Sequence, residues 1–261
     1  MKYGFIGCGN MGFALAKALS LRTKDILICD PVCGADKAAT LGCKVGTVQE
    51  IANTCRRIFI AVKPNMVREA LLPVQSILDN KKPLLISMAA GLTIETIEKY
   101  AGTSLPIIRI MPNTPVSVGK GMIGYTPNSQ ADTQTVADFL EDMAQAGVWD
   151  EVREELMDTV AALSGSGPAY AYYFTEALCR GAESCGMDSA QALRYAIATL
   201  EGAAEMMKKS DSTPEQLRIA VCSPGGSTLA GLKALNDAGF AKAIEDCVIA
   251  AYNRNKELAK M

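Results

Sequence analysis

Residues 3–12 read Tyr-Gly-Phe-Ile-Gly-Cys-Gly-Asn-Met-Gly: an apolar run that turns through Gly7-x-Gly9-x-x-Gly12 straight into a helical stretch, 11–21. Glycines at that spacing mean little in isolation, because glycine collects at turns of every kind. Between a strand and a helix they mean more. Glycine reaches positive φ, and without a Cβ its backbone lets a phosphate approach closely. The helix that follows offers free N–H groups and a partial positive charge to the same anion. A second apolar run, DILICD (25–30), comes next and ends on an acidic residue. Strand, glycine turn, helix, strand and acid in that order predict a dinucleotide-binding βαβ unit. Asp30 then has two readings. At the end of the second strand its carboxylate would bond a ribose hydroxyl and repel a 2′-phosphate, favouring NADH over NADPH. Placed before Pro31, it also suits a turn. The cofactor reading is carried forward.

The alternation continues. Apolar runs RIFIAV (57–62), PLLISMA (83–89) and IIRIM (107–111) are interleaved with helical stretches 35–41, 65–78 and 93–101. That pattern predicts a parallel sheet covered on both faces. GKGMIGYTP (119–127) adds a further strand, 131–146 a helix and GVWDEV (147–152) a last short strand. After residue 152 strand patterns cease. Helices are expected near 153–163, 168–185, 189–209, 214–222, 228–237 and 240–260, with Asp188 and Ser189 suited to N-capping and Pro214 to a first turn. The predicted fold is therefore an α/β Rossmann-type dinucleotide-binding domain, 1–152, followed by an all-α domain, 153–261, of a kind that often dimerises.

In open parallel sheets the ligand sits beyond the carboxyl ends of the strands. Ala61-Val62-Lys63-Pro64 and Ser87-Met88-Ala89-Ala90-Gly91 both end strands there, and their small residues leave room for a flat nicotinamide ring. Lys63 reads equally as a ligand-positioning cation and as a solvated loop lysine.

The chain has no histidine. Ser-His and Cys-His nucleophiles and His-ligated metals are excluded, no metal site is expected, and proton transfer falls to other side chains, water or the substrate. Nine scattered cysteines without a CxxC pair read as reduced, mostly buried thiols. A net charge of −2 gives no signal for nucleic acid or an anionic membrane, and no run is long enough to span a bilayer. The strand-like run after Lys2 is not a signal-peptide pattern, so a cytoplasmic location is expected.

A second glycine-rich loop, CSPGGSTLAG (222–231), joins two predicted helices. The N–H groups of Gly225, Gly226, Ser227 and Thr228 would form a nest at the positive end of the next helix, suited to a carboxylate. The plainer alternative is a C-cap glycine followed by a Ser/Thr N-cap. In LSGSGPAY (163–170), Ser166 before Gly167-Pro168 reads as an N-cap, and Asn113 and Thr114 in MPNTP read as loop-shaping residues.

Taken in order, GFIGCGNMG (4–12), AVKP (61–64), SMAAG (87–91), RIMPNTP (109–115), LSGSGPAY (163–170) and SPGGST (223–228) resemble the pyrroline-5-carboxylate reductase family along nearly the whole chain. The resemblance implies a Rossmann domain followed by a helical dimerisation domain, intertwined homodimers and, in many members, a decamer of five dimers. It implies hydride transfer from NADPH or NADH to the ring C=N of 1-pyrroline-5-carboxylate, giving L-proline, the last step of proline biosynthesis. By the same resemblance Ile6, Gly7, Cys8, Gly9, Asn10 and Met11 would hold the pyrophosphate. Ala61, Val62, Lys63, Pro64, Met88, Ala89 and Ala90 would line the ribose and nicotinamide. Ser223, Gly225, Gly226, Ser227 and Thr228 would bind the substrate, with Thr228 orienting its ring nitrogen. Two positions depart from the family pattern. Asp30 stands where many members have a small hydroxyl residue near a 2′-phosphate, and Val48 where many have asparagine.

Three competing readings remain open. A β-hydroxyacid dehydrogenase shares the opening motif, but it relies on a lysine in the helical segment after the nucleotide domain, and this chain has no lysine between Lys120 and Lys208. A reductase of a related cyclic imine would use the same site. A non-enzymatic NAD(H)-sensing or scaffold protein would have no use for SPGGST.

Overall fold

The structure is a computed structural model and describes residues 2–258. The first half alternates as β1 (Tyr3–Ile6), α1 (Asn10–Ser20), β2 (Ile26–Cys29), α2 (Gly34–Leu41), β3 (Lys44–Val45), α3 (Val48–Thr54), β4 (Arg57–Ile60), α4 (Val67–Leu71), α5 (Gln75–Lys81), β5 (Leu84–Ser87), α6 (Ile94–Ala101) and β6 (Ile107–Met111). Then come β7 (Gly121–Pro127), α7 (Thr133–Asp142), β8 (Gly147–Glu151) and α8 (Met157–Val160). Five helices complete the chain: α9 (Gly167–Ser184), α10 (Ser189–Lys209), α11 (Pro214–Ala220), α12 (Ser227–Asp237) and α13 (Phe240–Leu258).

The strands form one sheet in the order β3-β2-β1-β4-β5-β6-β7-β8. β1 to β6 run parallel, β7 runs antiparallel to β6, and β8 runs parallel to β7. The strand order reverses between β1 and β4, which opens a crevice at their carboxyl ends. Strand periodicity explains the two cores. Tyr3, Phe5, Phe59 and Ile86 point to one face and pack with Leu15, Leu19 and Phe139. Ile6, Ile58, Ile60 and Leu85 point to the other and pack with Ile51, Leu71 and Ile97. Phe5 and Phe59 stack with centroids 4.4 Å apart across the β1–β4 pair.

Several expected elements differ in detail. The helix predicted over 65–78 is broken into a 3-10 turn at Pro64–Met66, α4, a second 3-10 turn at Leu72–Val74, and α5. Pro73 has no N–H to donate and its ring crowds the carbonyl of Glu69, four residues back. The helix over 131–146 ends at Asp142, and a 3-10 turn, Ala144–Ala146, leads to Gly147 at φ +139°. The stretch 153–163 is a 3-10 turn (Glu154–Leu156), α8, and a π-turn, Ala161–Gly165. β3 has only two residues, both exposed, and carries no apolar pattern from which to infer it.

The strands end at Glu151, next to the expected boundary at 152/153. The compact units part later: one runs through Pro168 and resumes from Ala251, the other spans Ala169–Ala250. α8 belongs with the sheet because Val160 lies over β7, where a Cβ on Gly124 would sit 2.9 Å from its Cγ1. In the second unit only Ala192 and Ala196 are buried among the described residues. Its helices instead expose Tyr172, Tyr173, Tyr195, Ile197 and Ile219. No described helix is long and apolar enough to cross a membrane.

Candidate active site

The carboxyl ends of β1, β4 and β5 lie side by side. Ala61 N–H donates to Ile6 O at 2.8 Å, and Met88 N–H to Ile60 O at 3.4 Å. This brings the Gly7 loop, Ala61–Pro64 and Met88–Ala90 to one edge of the sheet. Gly7 has φ +86°, and a Cβ there would lie 2.7 Å from the Ala61 backbone, so no other residue fits. Gly9 is different. It is the N-cap of α1 with φ −59°, and a Cβ added to it would meet nothing within 4 Å. The space above Gly9 is left clear although the protein itself does not require it. No side chain caps α1, and its first turn carries no acid. A bare, uncapped helix start beside open space fits a pyrophosphate. Gly9 and Asn10 are exposed, Met11 half-buried, and Ile6, Gly7 and Cys8 buried.

Asp30 lies just past β2 and reaches back to this loop. Its Oδ2 accepts from Cys8 N–H at 2.7 Å. Its Oδ1 accepts from Val32 N–H at 2.9 Å, Cys33 N–H at 3.0 Å and the Cys33 thiol at 3.3 Å. Four donors match the acceptor capacity of a carboxylate. Burial pushes the Asp30 pKa up, but the hydrogen bonds from Cys33, Cys8 and Val32 outweigh it and hold the carboxyl at about 2. The turn reading of Asp30 is thus realised, together with a tie to the glycine loop that spacing did not reveal. Lys37, on α2, donates to Cys8 O and lies 5.5 Å from the centroid of the Phe13 ring.

Lys63 is exposed and precedes the Pro64–Met66 turn in extended backbone. Ala89 is buried, Met88 half-buried and Ala90 exposed. Val48 is half-buried and begins α3 behind a Thr47–Glu50 capping box.

The SPGGST loop lies in the second unit, apart in the chain from the dinucleotide edge. Gly225 has φ +71°, and Gly226 is the N-cap of α12. Gly226 N–H donates to Ser223 O at 3.0 Å. No side chain caps this helix, so the Ser/Thr capping alternative is not what forms. Ser227 and Thr228 occupy the first two helical positions and are exposed. Ser227 and Thr228 thus belong to the first turn of α12, whose leading N–H groups no side chain caps.

Sequence reasoning read Asn113 of RIMPNTP as loop-shaping but missed Arg109. Arg109 is buried and donates through Nη1 to Glu154 Oε1 at 3.0 Å. The same oxygen accepts from Ile94 N–H at 2.7 Å, tying β6 to the start of α6. Asn113 is buried too and reaches Ser164. Ser166 was expected to be an N-cap. Its backbone is right-handed helical and its hydroxyl donates back to Ala161 O at 3.3 Å, so it caps nothing. A cleft of about 750 Å³ lies at the opposite, amino-terminal edge of the sheet. There the charge of buried Asp142 is balanced by Lys2 at 2.7 Å and Arg57 at 2.9 Å, an arrangement that secures the fold.

Comparison with known proteins sorts these features. Residues 154–258 match the family described as pyrroline-5-carboxylate reductase dimerisation, and residues 2–91 match NADP oxidoreductase, coenzyme F420-dependent. The pyrroline-5-carboxylate reductase of Escherichia coli (strain K12) is 35% identical over 268 residues, covering 99% of this chain and 98% of that protein. The chain belongs to the pyrroline-5-carboxylate reductase family. Two solved reductases agree throughout their length. That of Coxiella burnetii has a TM-score of 0.91 at 32% identity, covering 100% of this chain and 99% of the other. That of Plasmodium falciparum, with NADP bound, has a TM-score of 0.90 at 31% identity, covering 99% and 98%. The reductase fold is thus a Rossmann-like sheet followed by a helical dimerisation domain, and the family's oxidoreductase chemistry places a nicotinamide dinucleotide among the ligands this chain must accommodate.

Proposed function

We propose that the chain reduces the ring C=N of 1-pyrroline-5-carboxylate to L-proline with a reduced nicotinamide dinucleotide, as the last step of proline biosynthesis. The observation that carries this reading is the uncapped start of α12, where Gly225, Ser227 and Thr228 offer backbone N–H groups, with the two hydroxyls, at one helix end. A small carboxylate suits that end by charge and by donor count.

Bound at the carboxyl edge of β1, β4 and β5, the reduced nicotinamide supplies the hydride. Ile6 to Met11 hold the pyrophosphate, and Ala61 to Pro64 with Met88 to Ala90 line the ribose and nicotinamide. Ser223 and the nest at Gly225–Thr228 hold the substrate carboxylate, and Thr228 orients the ring nitrogen. A protonated imine is already electrophilic, so the protein needs no strong acid; its work is to align the two reactants and exclude water. A chain without histidine is adequate for that chemistry.

The same reading favours NADH. Asp30 stays ionised through the whole working pH range and puts a negative charge at the end of β2, where a 2′-phosphate would come. All nine cysteines are free thiols, which suits a reducing, cytoplasmic setting. The dimer is the unit of assembly.

Thr228→Ala tests the substrate site. It should lower kcat/KM for the imine by about tenfold to a hundredfold, the loss expected for one hydrogen bond to a charged ligand, with dinucleotide affinity unchanged. Unchanged kcat/KM would remove Thr228 from the site.

A further inference from the structure

The two motifs that the functional reading leaves unassigned, RIMPNTP and LSGSGPAY, meet at one hydrogen bond. Asn113 Nδ2 donates to Ser164 O at 3.0 Å, and Asn113 Oδ1 accepts from Met122 N–H at 2.9 Å. The chemistry of Pro168 explains why Ser164 is the partner. In a continuous α-helix the Ser164 carbonyl would accept from the N–H of residue 168, but residue 168 is proline and has none. A proline ring also crowds the carbonyl four residues before it, which pushes the preceding turn out of α geometry. The turn here widens to a π-turn over Ala161–Gly165, in which Ser166 N–H bonds Ala161 O at 2.9 Å. Asn113 supplies from the loop after β6 the donor that Pro168 lacks.

The place of this bond gives it a function. β5 and β6 run in parallel register with Ser87 opposite Arg109, so Asn113 lies beyond the carboxyl edge of the sheet, on the side where Met88–Ala90 emerge. The turn that follows it, Thr114–Val118, packs on α1, the helix whose start faces the pyrophosphate position. π-Turns inside helices are found most often at functional sites, because they hold the chain in a register that a plain helix would not keep.

We propose that Asn113 is a positioning residue for hydride transfer: with Pro168 it holds the Ala161–Gly165 π-turn as a wall at the nicotinamide end of the cofactor crevice. This rests on the reductase reading above. Asn113 touches neither reactant. Its amide fixes the Ser164 carbonyl, and the fixed turn limits how far the nicotinamide can shift from its productive pose.

Two variants test it in the full-length protein, with wild-type turnover measured first. Asn113→Asp keeps the acceptor for Met122 and removes the N–H donor. It should lower kcat at least about tenfold, as misplacement of a reacting group does, while the dinucleotide Kd stays within about twofold. Adding Pro168→Ala gives Ser164 a donor within its own helix. The double variant should recover the melting temperature lost in Asn113→Asp but not kcat, because the turn relaxes to α geometry. Pro168→Ala alone should likewise lose kcat without losing melting temperature, and it tests the proposal even if Asn113→Asp does not fold. A kcat within about twofold of wild type in Asn113→Asp or Pro168→Ala would overturn the proposal, since a purely structural bond leaves turnover intact. So would a melting loss in Asn113→Asp that Pro168→Ala fails to restore. If the wild type reduces no imine with either dinucleotide, the reductase reading fails, and the melting coupling of Asn113 with Pro168 then decides whether the two residues hold the turn.

Discussion

Asp30 shows how one carboxylate serves two ends. Its oxygens accept from Cys8, Val32 and Cys33, so the residue closes the turn after β2 and steadies the glycine loop at once. A carboxyl whose pKa is depressed to about 2 contributes stability that is present above its unfolded value, about pH 4, and lost as pH falls toward 2. Its charge is therefore constant at neutral pH. Asp30→Ser should raise kcat/KM for NADPH relative to NADH by about tenfold, the effect of removing one like charge near a phosphate, with no pH dependence of the ratio between pH 6 and 8. An unchanged ratio would mean that another group sets the choice. In the sequence, Asp30 offered two readings that spacing alone could not separate, because an acid before proline is equally at home in a turn. The hydrogen bond to Cys8 spans 22 residues, and no local pattern announces it.

Among the elements, α1 carries the sharpest consequence. The βαβ order and the three glycines made its role legible at once, because strand and helix periods differ and the turn chemistry falls between them. Gly7 is needed by the fold, but Gly9 is not: its φ of −59° suits any residue, and the space beside it is open. Gly9→Ala should therefore leave urea stability unchanged and weaken NADH binding by about tenfold or more, read by fluorescence titration. Full retention of binding would place the pyrophosphate elsewhere. The elements that escaped prediction escaped for stated reasons. Pro73 disrupts a helix that apolar periodicity alone would continue, while before Pro168, where a break between two helices was expected, the chain runs on through a π-turn. β3 is two residues long, too short for any period. Ser166 resembles an N-cap in one dimension, but the helix preceding it does not stop; it widens and runs on.

At the scale of the whole chain, the Rossmann half builds two well-filled cores while the Ala169–Ala250 unit buries only Ala192 and Ala196 among its described residues. Helices that expose Tyr173 at 68%, Met206 at 61% and Ile219 at 58% do not hold a hydrophobic layer together by themselves. Residues 154–258 match a dimerisation domain. The match makes the protein a homo-oligomer, and a helical half that gains its core on assembly has two measurable consequences. Its melting temperature should fall on dilution, and light scattering should give twice the chain mass or a multiple of it. A stable monomer with a concentration-independent melting temperature would contradict this. An all-α half after a dinucleotide-binding one already pointed to dimerisation in the sequence, but not to the residues that meet the second copy, since burial by a neighbour and burial by a second copy select the same residues.

The central claim is a reaction, and initial rates test it most directly. Purified enzyme is mixed with 1-pyrroline-5-carboxylate and either NADH or NADPH, and loss of nicotinamide absorbance is followed. The account predicts turnover with both and a higher kcat/KM with NADH. Turnover confined to NADPH would contradict the role given to Asp30, and no turnover with either, in protein shown to bind the dinucleotide, would contradict the reductase reading itself.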